Sequence, residues 1–283
     1  MKGHDYTVIR LIATDLDDTL LNADNDLSPR TQAALTAAME AGCGVTLSSG
    51  RMLEAMLPFA ERIGVNAPML LYNGALVYDL FAERTVSRLE IPMATARAIC
   101  KLAEETGLYM QAYPGDRYFC AERCEHTARY AASIHVRAWE TPGHQPLSEW
   151  ISSGQLKLLG IGAAEAMPEI LTRFRTAFPE GVDFYMSKPT YMETVSATAN
   201  KANALKALAE SLGIKRENVL AFGDGQNDIA MLEYAGCGCA VANASAEVRA
   251  RADRVVAANS EDGVAREIER LLAAGQIGKG AGA

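Results

Sequence analysis

The sequence predicts an α/β fold: a doubly wound, mostly parallel sheet interrupted by an inserted α/β domain. First, apolar runs of strand length alternate with helical patterns near both ends of the chain, as parallel strands with right-handed crossovers require. Second, this alternation loosens between about residues 86 and 189. Third, the chain has 283 residues, 49% of them hydrophobic and 22% charged, which suffices for a core without disulfides or metals and excludes a disordered chain.

The first five elements form a strand–helix–strand–helix–strand series. Ser28 and Pro29 predict a helix start, with serine as the N-cap and proline at the first helical position. Gly42 predicts the end of that helix, because glycine adopts the left-handed conformation common at helix C-termini. The predicted elements are strands at 8–14, 44–47 and 69–72, a helix at 29–41 and a second helix ending near residue 64.

The later elements divide between the insertion and the rest of the core. After a hairpin at 75–78 and 85–89, the insertion is predicted to hold a helix at 92–106, strands within 109–120, a strand at 156–161, a helix at 165–178 and a strand at 182–186. The core pattern resumes with strands at 191–195, 219–223, 238–242 and 254–257 and helices at 201–212 and 261–274. The predicted domains are a core of residues 1–85 and 190–283 and an insertion of residues 86–189. The glycine-rich C-terminus is expected to fray.

The charge and the cysteines favour a cytoplasmic protein. The chain has 35 acidic and 27 basic residues and a net charge of -8, so it has no overall attraction for nucleic acids or anionic membranes. No apolar run has the roughly 18–20 residues of a membrane helix, and the N-terminal segment lacks the features of a signal peptide. The six cysteines lie mostly in apolar contexts, which indicates reduced thiols, and their spacing disfavours a zinc site.

Two predicted strands run directly into clusters of carboxylates. The strand at 8–14 is followed by Asp15, Asp17 and Asp18, and the strand at 219–223 by Asp224 and Asp228. Either cluster alone is explained by the preference of aspartate for turns and helix N-termini. Ligands of open α/β sheets bind at the carboxyl ends of the strands, however, and two clusters there offer the hard oxygen ligands that Mg²⁺ requires.

Two further groups complete a candidate site for phosphoryl transfer. Ser48, Ser49 and Gly50 follow a strand and open a helix, where hydroxyls and backbone N–H groups bind phosphate. Lys201 lies at the start of a predicted helix, where a cation is disfavoured by the helix dipole. Alone, the serines would be interpreted as a helix cap and the lysine as a surface residue. Together with the acid clusters they predict one aspartate that attacks phosphorus and a second that moves a proton.

These motifs resemble a known superfamily. The segments DLDDTLL (15–21), SSGR (48–51), Lys201 and GDGQNDIAML (223–232) are similar to the four signature motifs of the haloacid dehalogenase superfamily. The branch resembles the Cof-type hydrolases, whose α/β cap domain is inserted after the third core strand; the patterns at 73–75, 243–244 and 259–264 are similar as well. The similarity covers residues 8–78 and 191–272. The chain departs from the usual pattern at Asp18 and Ala202, where most members have glycine.

The resemblance implies a Mg²⁺-dependent phosphatase that hydrolyses a small phosphorylated metabolite, a sugar phosphate or phosphorylated cofactor, through an aspartyl-phosphate. It implies that Asp15 is the nucleophile and that Asp17 is first the general acid and then the general base. The carbonyl oxygen of Asp17 would also be a ligand of Mg²⁺. The implied phosphate-binding residues are Ser49, Gly50, Lys201 and Asn227; the implied substrate loop is Asn73 and Gly74; and the implied metal residues are Asp15, Asp17, Asp224 and Asp228. Asp228 would act through water or by holding Lys201.

Three alternatives are weighed against that function. A dehalogenase needs no acid at Asp17, because a halide leaves without a proton, whereas an alkoxide needs one. A phosphotransferase or phosphomutase would share every one of these residues. A catalytically silent phospho-ligand binding protein would be expected to have lost the nucleophile or a metal acid, and neither is lost. The expected partners are a small phosphorylated metabolite and no nucleic acid or membrane, with the chain a monomer or small homo-oligomer.

Overall fold

The computed structural model describes residues 8–278. Residues 1–7 and 279–283 lie outside the described residues. The expectations of a missing leader and of a frayed tail rest largely on these two segments. The described chain forms two compact units. The first contains the residues up to Gly50, Leu57–Val86 and the residues from Asn200 onward, and the second contains Arg51–Met56 and Ser87–Ala199.

The strands and helices are numbered in chain order. The strands are β1 (Leu11–Thr14), β2 (Gly44–Leu47), β3 (Met69–Leu71), β4 (Leu76–Asp79), β5 (Arg84–Arg88), β6 (Tyr109–Tyr113), β7 (Phe119–Cys120), β8 (Trp139–Glu140), β9 (Lys157–Ile161), β10 (Val182–Lys188), β11 (Tyr191–Ser196), β12 (Val219–Gly223), β13 (Cys237–Val241) and β14 (Arg254–Val256). The helices are α1 (Pro29–Glu40), α2 (Leu53–Ile63), α3 (Met93–Thr106), α4 (Glu125–Ile134), α5 (Leu147–Trp150), α6 (Met167–Ala177), α7 (Lys201–Ser211), α8 (Ile229–Tyr234), α9 (Ala246–Arg251) and α10 (Gly263–Ala273). Within residues 8–278, no helix combines the length and the apolar character needed to cross a bilayer.

The first unit is built on a five-stranded sheet with the strand order β14-β13-β12-β1-β2. All four neighbouring pairs are parallel, and β1, β12 and β13 are buried along their whole length, as strands covered on both faces are. β1 and β12 are neighbours, and Thr14 pairs with Phe222 at their carboxyl ends. The predicted parallel α/β sheet is therefore confirmed, and the segments after β1 and β12 begin side by side.

The third predicted strand, at 69–72, runs parallel to the chain that leaves β2 but is only loosely joined to that sheet. β3 pairs antiparallel with β4 in a separate three-stranded sheet of order β3-β4-β5, which contains the predicted hairpin. One isolated parallel bridge, between Ser48 and Leu70, links β3 to the chain that leaves β2. The strand ends at Leu71 because Tyr72 and Asn73 have φ values of 51° and 55°, outside the extended region.

Local sequence signals set the starts of α1 and of α7, and α7 carries the site residue Lys201. Ser28 caps α1, since its Oγ accepts a hydrogen bond from the N–H of Thr31 at 3.0 Å, and Pro29 begins the helix as predicted. Asn200 caps α7 in the same way, because its Oδ1 accepts from the N–H of Asn203 at 2.8 Å. This cap fixes Lys201 as the first residue of α7.

The second unit contains a six-stranded sheet with the order β10-β11-β9-β6-β7-β8. Its pairs are antiparallel except β7 with β8. One face packs on helices around Ile99, Phe174 and Phe184. α4, β8 and α5 were not predicted from the sequence; β8 and α5 have only two and four residues.

The strand predicted at 191–195 belongs to this second sheet and not to the sheet of the first unit. As β11, it pairs antiparallel with β10 and with β9. Only Pro189 and Thr190 separate β10 from β11, and a connection of two residues joins antiparallel neighbours, not parallel ones. The first unit therefore resumes at Asn200, ten residues after the expected boundary at 190.

A buried ion pair lies in the second unit. The Nζ of Lys157 lies 3.4 Å from Oε2 of Glu193 and 4.7 Å from the ring centre of Tyr113, and the lysine is 2% exposed. Burial lowers the pKa of Lys157, but the interactions with Glu193 and Tyr130 together raise it by more, so the lysine is charged. A charge so placed is tolerated because its partner lies on the adjoining strand.

We expect Glu193→Ala to destabilise the protein by about 3–5 kcal/mol, because it leaves the Lys157 ammonium buried without its carboxylate. The double variant Lys157→Met, Glu193→Leu should regain most of that loss, since apolar groups of similar volume replace the pair. Urea unfolding followed by circular dichroism measures both. The control is Glu125→Ala, which removes an exposed pair with Arg129 and should change the unfolding midpoint little. Equal losses in the single and double variants would contradict this account.

Candidate active site

The candidate site begins where β1 ends. Asp15 directly follows β1, and its backbone N–H donates to the carbonyl of Phe222 on β12 at 3.0 Å, which continues the parallel ladder by one residue. The side chain of Asp15 is 10% exposed. The strand thus delivers a nearly buried carboxylate to the carboxyl edge of the sheet, as the sequence predicts.

Lys201 lies between two carboxylates. Its Nζ donates to Oδ1 of Asp15 and, at 2.6 Å, to Oδ1 of Asp228, and the side chain is fully buried. Burial lowers the pKa of Lys201, but the Asp15 and Asp228 carboxylates and their hydrogen bonds raise it by more. The lysine therefore carries its charge inside the first unit, and it is not the solvated surface residue that its position on a helix would suggest.

Asp228 also shapes the loop after β12. Its Oδ2 accepts from the backbone N–H groups of Asp224 at 3.1 Å and Gly225 at 2.9 Å. Gly223 permits this close turn, because a Cβ at that position would lie 2.5 Å from the Cβ of Asp228. One carboxylate group thus holds both the lysine and the loop that carries Asp224.

Asp224 is held by a residue that the sequence analysis did not select. The hydroxyl of Thr19, which is fully buried, donates to Oδ1 of Asp224 at 2.6 Å. Burial, with the charges of Asp228 and Asp18, raises the pKa of Asp224 to about 6, against the lowering effect of the Thr19 hydrogen bond. The only sequence signal for Thr19 was its position in the acidic segment after β1.

Three carboxylates form a group with the composition of a cation site. Oxygens of Asp15, Asp224 and Asp228 lie within 4.8 Å of one another. Among residues 8–278, no other group of three or more His, Cys, Asp or Glu side chains is close enough together to hold a metal ion. Burial raises the pKa of Asp15 well above its usual range, and the carboxylates of Asp228, Asp224 and Asp17 add to this effect, although Lys201 opposes it. Three carboxylates and one ammonium leave an excess of negative charge, so these oxygen donors fit a divalent cation such as Mg²⁺.

The predicted phosphate-binding and substrate-loop residues are brought together. Ser49, 1% exposed, follows Ser48, and a Cβ on Gly50 would lie 2.9 Å from Nδ2 of Asn73. Asn73 adopts a left-handed conformation, with φ of 55°, and its Oδ1 accepts from Nδ2 of Asn227 at 2.9 Å. The segments after β2, β3 and β12 therefore meet.

Gly74 and Asp17 complete the set of predicted residues. Gly74 has φ of 94°, and a Cβ there would collide with the carbonyl of Asn200, so only glycine fits beside the cap of α7. Asp17 is half-buried, two residues beyond Asp15 on the same loop. All the predicted site residues lie in the first unit.

Two asparagines fasten the loop that carries Asp17. Nδ2 of Asn243 donates to the carbonyl of Asp18 at 2.7 Å, and Nδ2 of Asn259 donates to the carbonyl of Leu21 at 2.8 Å. The N–H of Asn259 in turn donates to Oδ1 of Asn243 at 3.0 Å. We call Asn243 and Asn259 the asparagine clamp; it gives a physical role to patterns that the sequence showed only as a resemblance.

A parallel α/β sheet, carboxylates at the ends of two neighbouring strands and a buried lysine together define an enzyme with a carboxylate active site. The chain belongs to the haloacid dehalogenase-like hydrolases: the model of that family matches residues 12–268. The predicted membership of this superfamily and of its Cof-like branch is confirmed.

Relatives and solved structures agree with this assignment. The chain is 30% identical over 269 residues to the 5-amino-6-(5-phospho-D-ribitylamino)uracil phosphatase YcsE of Bacillus subtilis (strain 168), covering 93% of this chain and 96% of the relative. It is 28% identical over 270 residues to the pyridoxal phosphate phosphatase YbhA of Escherichia coli (strain K12), covering 92% and 97%. The crystal structure of TM0651 from Thermotoga maritima matches with a TM-score of 0.83 and 32% identity, covering 93% and 97%. The expected enzyme class, a phosphatase of this superfamily, is thereby confirmed.

We expect Asn243→Ala to lower kcat for p-nitrophenyl phosphate by about tenfold to a hundredfold, because loss of the bond to Asp18 lets the loop carrying Asp17 move out of position. KM should change less, since the residues predicted to bind phosphate lie on other segments. Steady-state kinetics measure both values. The control is Gln32→Ala, which removes a surface amide bonded to the carbonyl of Arg62. An unchanged kcat in Asn243→Ala would show that the asparagine clamp does not position the loop.

Proposed function

We propose that the protein is a Mg²⁺-dependent phosphatase that hydrolyses a small phosphorylated metabolite through an aspartyl-phosphate intermediate. The observation that carries this proposal is the fully buried Lys201 bonded to Asp15 and Asp228, with Asp224 in the same group of carboxylates. A buried ammonium beside a nearly buried carboxylate holds the nucleophile in place and offers a positive charge to a phosphoryl group.

Asp15 and Asp17 divide the chemistry between them. A carboxylate oxygen of Asp15 attacks phosphorus, the bond from phosphorus to the ester oxygen breaks, and Asp17 gives its proton to the leaving alkoxide. In the second step Asp17 takes a proton from water as that water attacks phosphorus, which releases inorganic phosphate and restores the Asp15 carboxylate. The half-buried position of Asp17 supports contact with both a leaving group and water.

The remaining residues bind and orient. Ser49, Gly50, Lys201 and Asn227 are assigned to the phosphoryl oxygens, and Asn73 and Gly74 to the leaving group. A bound Mg²⁺ would be held by Asp15, Asp17, Asp224 and Asp228 and would supply positive charge for the oxygens of the phosphoryl group. Thr19 fixes Asp224, and Asp228 fixes both Lys201 and the loop after β12.

The substrate class follows from the relatives, whose names specify a phosphorylated ribitylaminouracil and pyridoxal phosphate. We assign this chain a sugar phosphate or a phosphorylated cofactor of similar size, with the second unit as the cap that sets selectivity. All six cysteines lie within residues 8–278, where they form no disulfide, and five of them are buried, which supports a reducing, cytoplasmic setting. A screen of phosphorylated metabolites in Mg²⁺ tests the substrate class, and activity on none of them would contradict it.

Metal binding should depend on pH through Asp224. Its raised pKa of about 6 means that the carboxyl holds a proton below that pH, and the proton must leave before a cation binds. We expect Mg²⁺ to raise Tm fully at pH 7.5 and progressively less as the pH falls below about 6. Thermal unfolding at several pH values, with Mg²⁺ or with chelator, measures this effect.

When a chelator removes Mg²⁺, the stability of the folded protein changes with pH in the opposite direction. The folded state binds the proton of Asp224 more tightly than the unfolded state, so stability from this group is greatest below pH 4 and is lost as the pH rises through 6. Asp224→Asn should remove both the Mg²⁺ effect and this slope. A Mg²⁺ stabilisation of equal size at pH 5 and pH 7.5, or full activity in excess chelator, would contradict the metal site.

The variants Asp15→Asn and Asp17→Asn should separate the two roles. Asp15→Asn should abolish turnover, because an amide is a poor nucleophile and no aspartyl-phosphate forms. Asp17→Asn should lose about 10²–10⁴-fold on an alkyl phosphate, the typical contribution of general acid–base catalysis. With p-nitrophenyl phosphate it should give a burst followed by slow turnover, since that leaving group hardly needs a proton but the second step still needs the base.

Single-turnover kinetics on both variants and both substrate types measure these outcomes. The control is Asp24→Asn, which makes the same change from carboxylate to amide at an exposed position beyond the loop that carries Asp15 and Asp17. If Asp15→Asn kept its turnover while Asp17→Asn formed no phospho-enzyme, the assigned roles would be reversed.

A further inference from the structure

A groove of about 400 Å³ lies in the first unit, between the edge strand β14 and the helix α10. Its lining includes three arginines, Arg254, Arg266 and Arg270, and one carboxylate, that of Glu267. We call it the arginine groove. None of the residues assigned to the active site lines it.

The arginine groove is positive in a negative protein. Its lining contains three arginines and one carboxylate, an excess of two positive charges, whereas the chain carries a net charge of -8. The next acid along α10, Glu269, is engaged by Arg30 of α1 at 2.6 Å. An excess of one sign in a concave surface attracts ions of the other sign.

Glu267 orders two of the three arginines. It is 8% exposed, and its Oε1 accepts from Nη1 of Arg254 at 3.3 Å and from Nη2 of Arg270 at 2.7 Å, while Oε2 accepts from Nε of Arg270 at 2.9 Å. The side chains of Arg254 and Arg270 remain 35% and 44% exposed. The guanidinium groups are therefore held at the surface in fixed positions, which lowers the entropy lost when they bind an anion.

The start of α10 contributes to the same wall. Gly263, its first residue, lines the arginine groove, and a Cβ there would collide with the carbonyl of Ala257. Only glycine allows the helix to begin this close to the end of β14. Its N-terminal turn, which carries the positive end of the helix dipole, thus lies beside the three arginines.

We propose that the arginine groove is a second anion-binding site, for a small organic phosphate with at least two negative charges. The planar, multidonor guanidinium matches the oxygens of phosphate. The volume lies in the range of small-molecule sites and exceeds what one inorganic phosphate fills. Val255 and Val256 supply apolar surface for the organic part. The site is independent of the proposed catalytic function.

Isothermal titration of the full-length protein in chelator tests the site, with pyrophosphate and ADP as probes. We expect both to bind, ADP more tightly because of its organic part, and both more weakly as KCl rises. Arg266→Ala, which leaves the bonds to Glu267 in place, and Arg270→Ala should each weaken binding about tenfold, as loss of one charge-assisted hydrogen bond implies. The control is Arg251→Ala, an exposed arginine paired with Glu233, which should bind both probes like the wild type.

Amide hydrogen exchange locates the bound anion. ADP should protect peptides covering β14 and the first turns of α10. Protection confined to the segments around Ser49 and Asp224 would assign the binding to the active site and overturn the proposal. The proposal is also overturned if neither probe binds, if the two arginine variants bind like the wild type, or if ADP binds no more tightly than pyrophosphate.

Discussion

The ammonium of Lys201, buried between Asp15 and Asp228, is the interaction on which the rest of the site depends. A fully buried charge is tolerated only where partners compensate for the lost water. These partners lie 186 and 27 residues away in the chain, one after β1 and the other after β12. The parallel pairing of β1 with β12 and the cap of α7 by Asn200 must therefore both form before the charge is satisfied.

The same arrangement creates an electrostatic cost. Asp15, Asp224 and Asp228 crowd around one lysine, and burial with mutual repulsion raises the pKa of Asp15 and Asp224. The fold offsets this with donors on its own backbone and side chains: the N–H groups of the β12 loop on Asp228, and the hydroxyl of Thr19 on Asp224. The carboxylates are consequently fixed in place, and such preorganisation would favour the proposed cation binding and catalysis over stability.

The sequence predicts those structural features that residues close together in the chain determine. The acid clusters were found because they follow strongly apolar strands, and the start of α1 because Ser28 and Pro29 are strong signals. The strand at 191–195 was assigned to the wrong sheet, since an apolar run specifies a strand but not its partner, and the short turn before Tyr191 decides the pairing. The contacts of Thr19 and of Asn243 were not predictable, because they join segments more than 200 residues apart.

Asp18 shows how the structure explains a departure from the family pattern. It has φ of 56°, in the left-handed region that glycine adopts without strain, which accounts for the glycine of most members. Aspartate is one of the few other residues that tolerate this region. Here the side chain is exposed, and the carbonyl of Asp18 accepts a hydrogen bond from Asn243 at 2.7 Å, which stabilises the turn. The turn between Asp17 and Thr19 is thus preserved by the asparagine clamp. Thr19 keeps the place from which it holds Asp224, and Asp17 keeps the place from which we propose that it meets the leaving group.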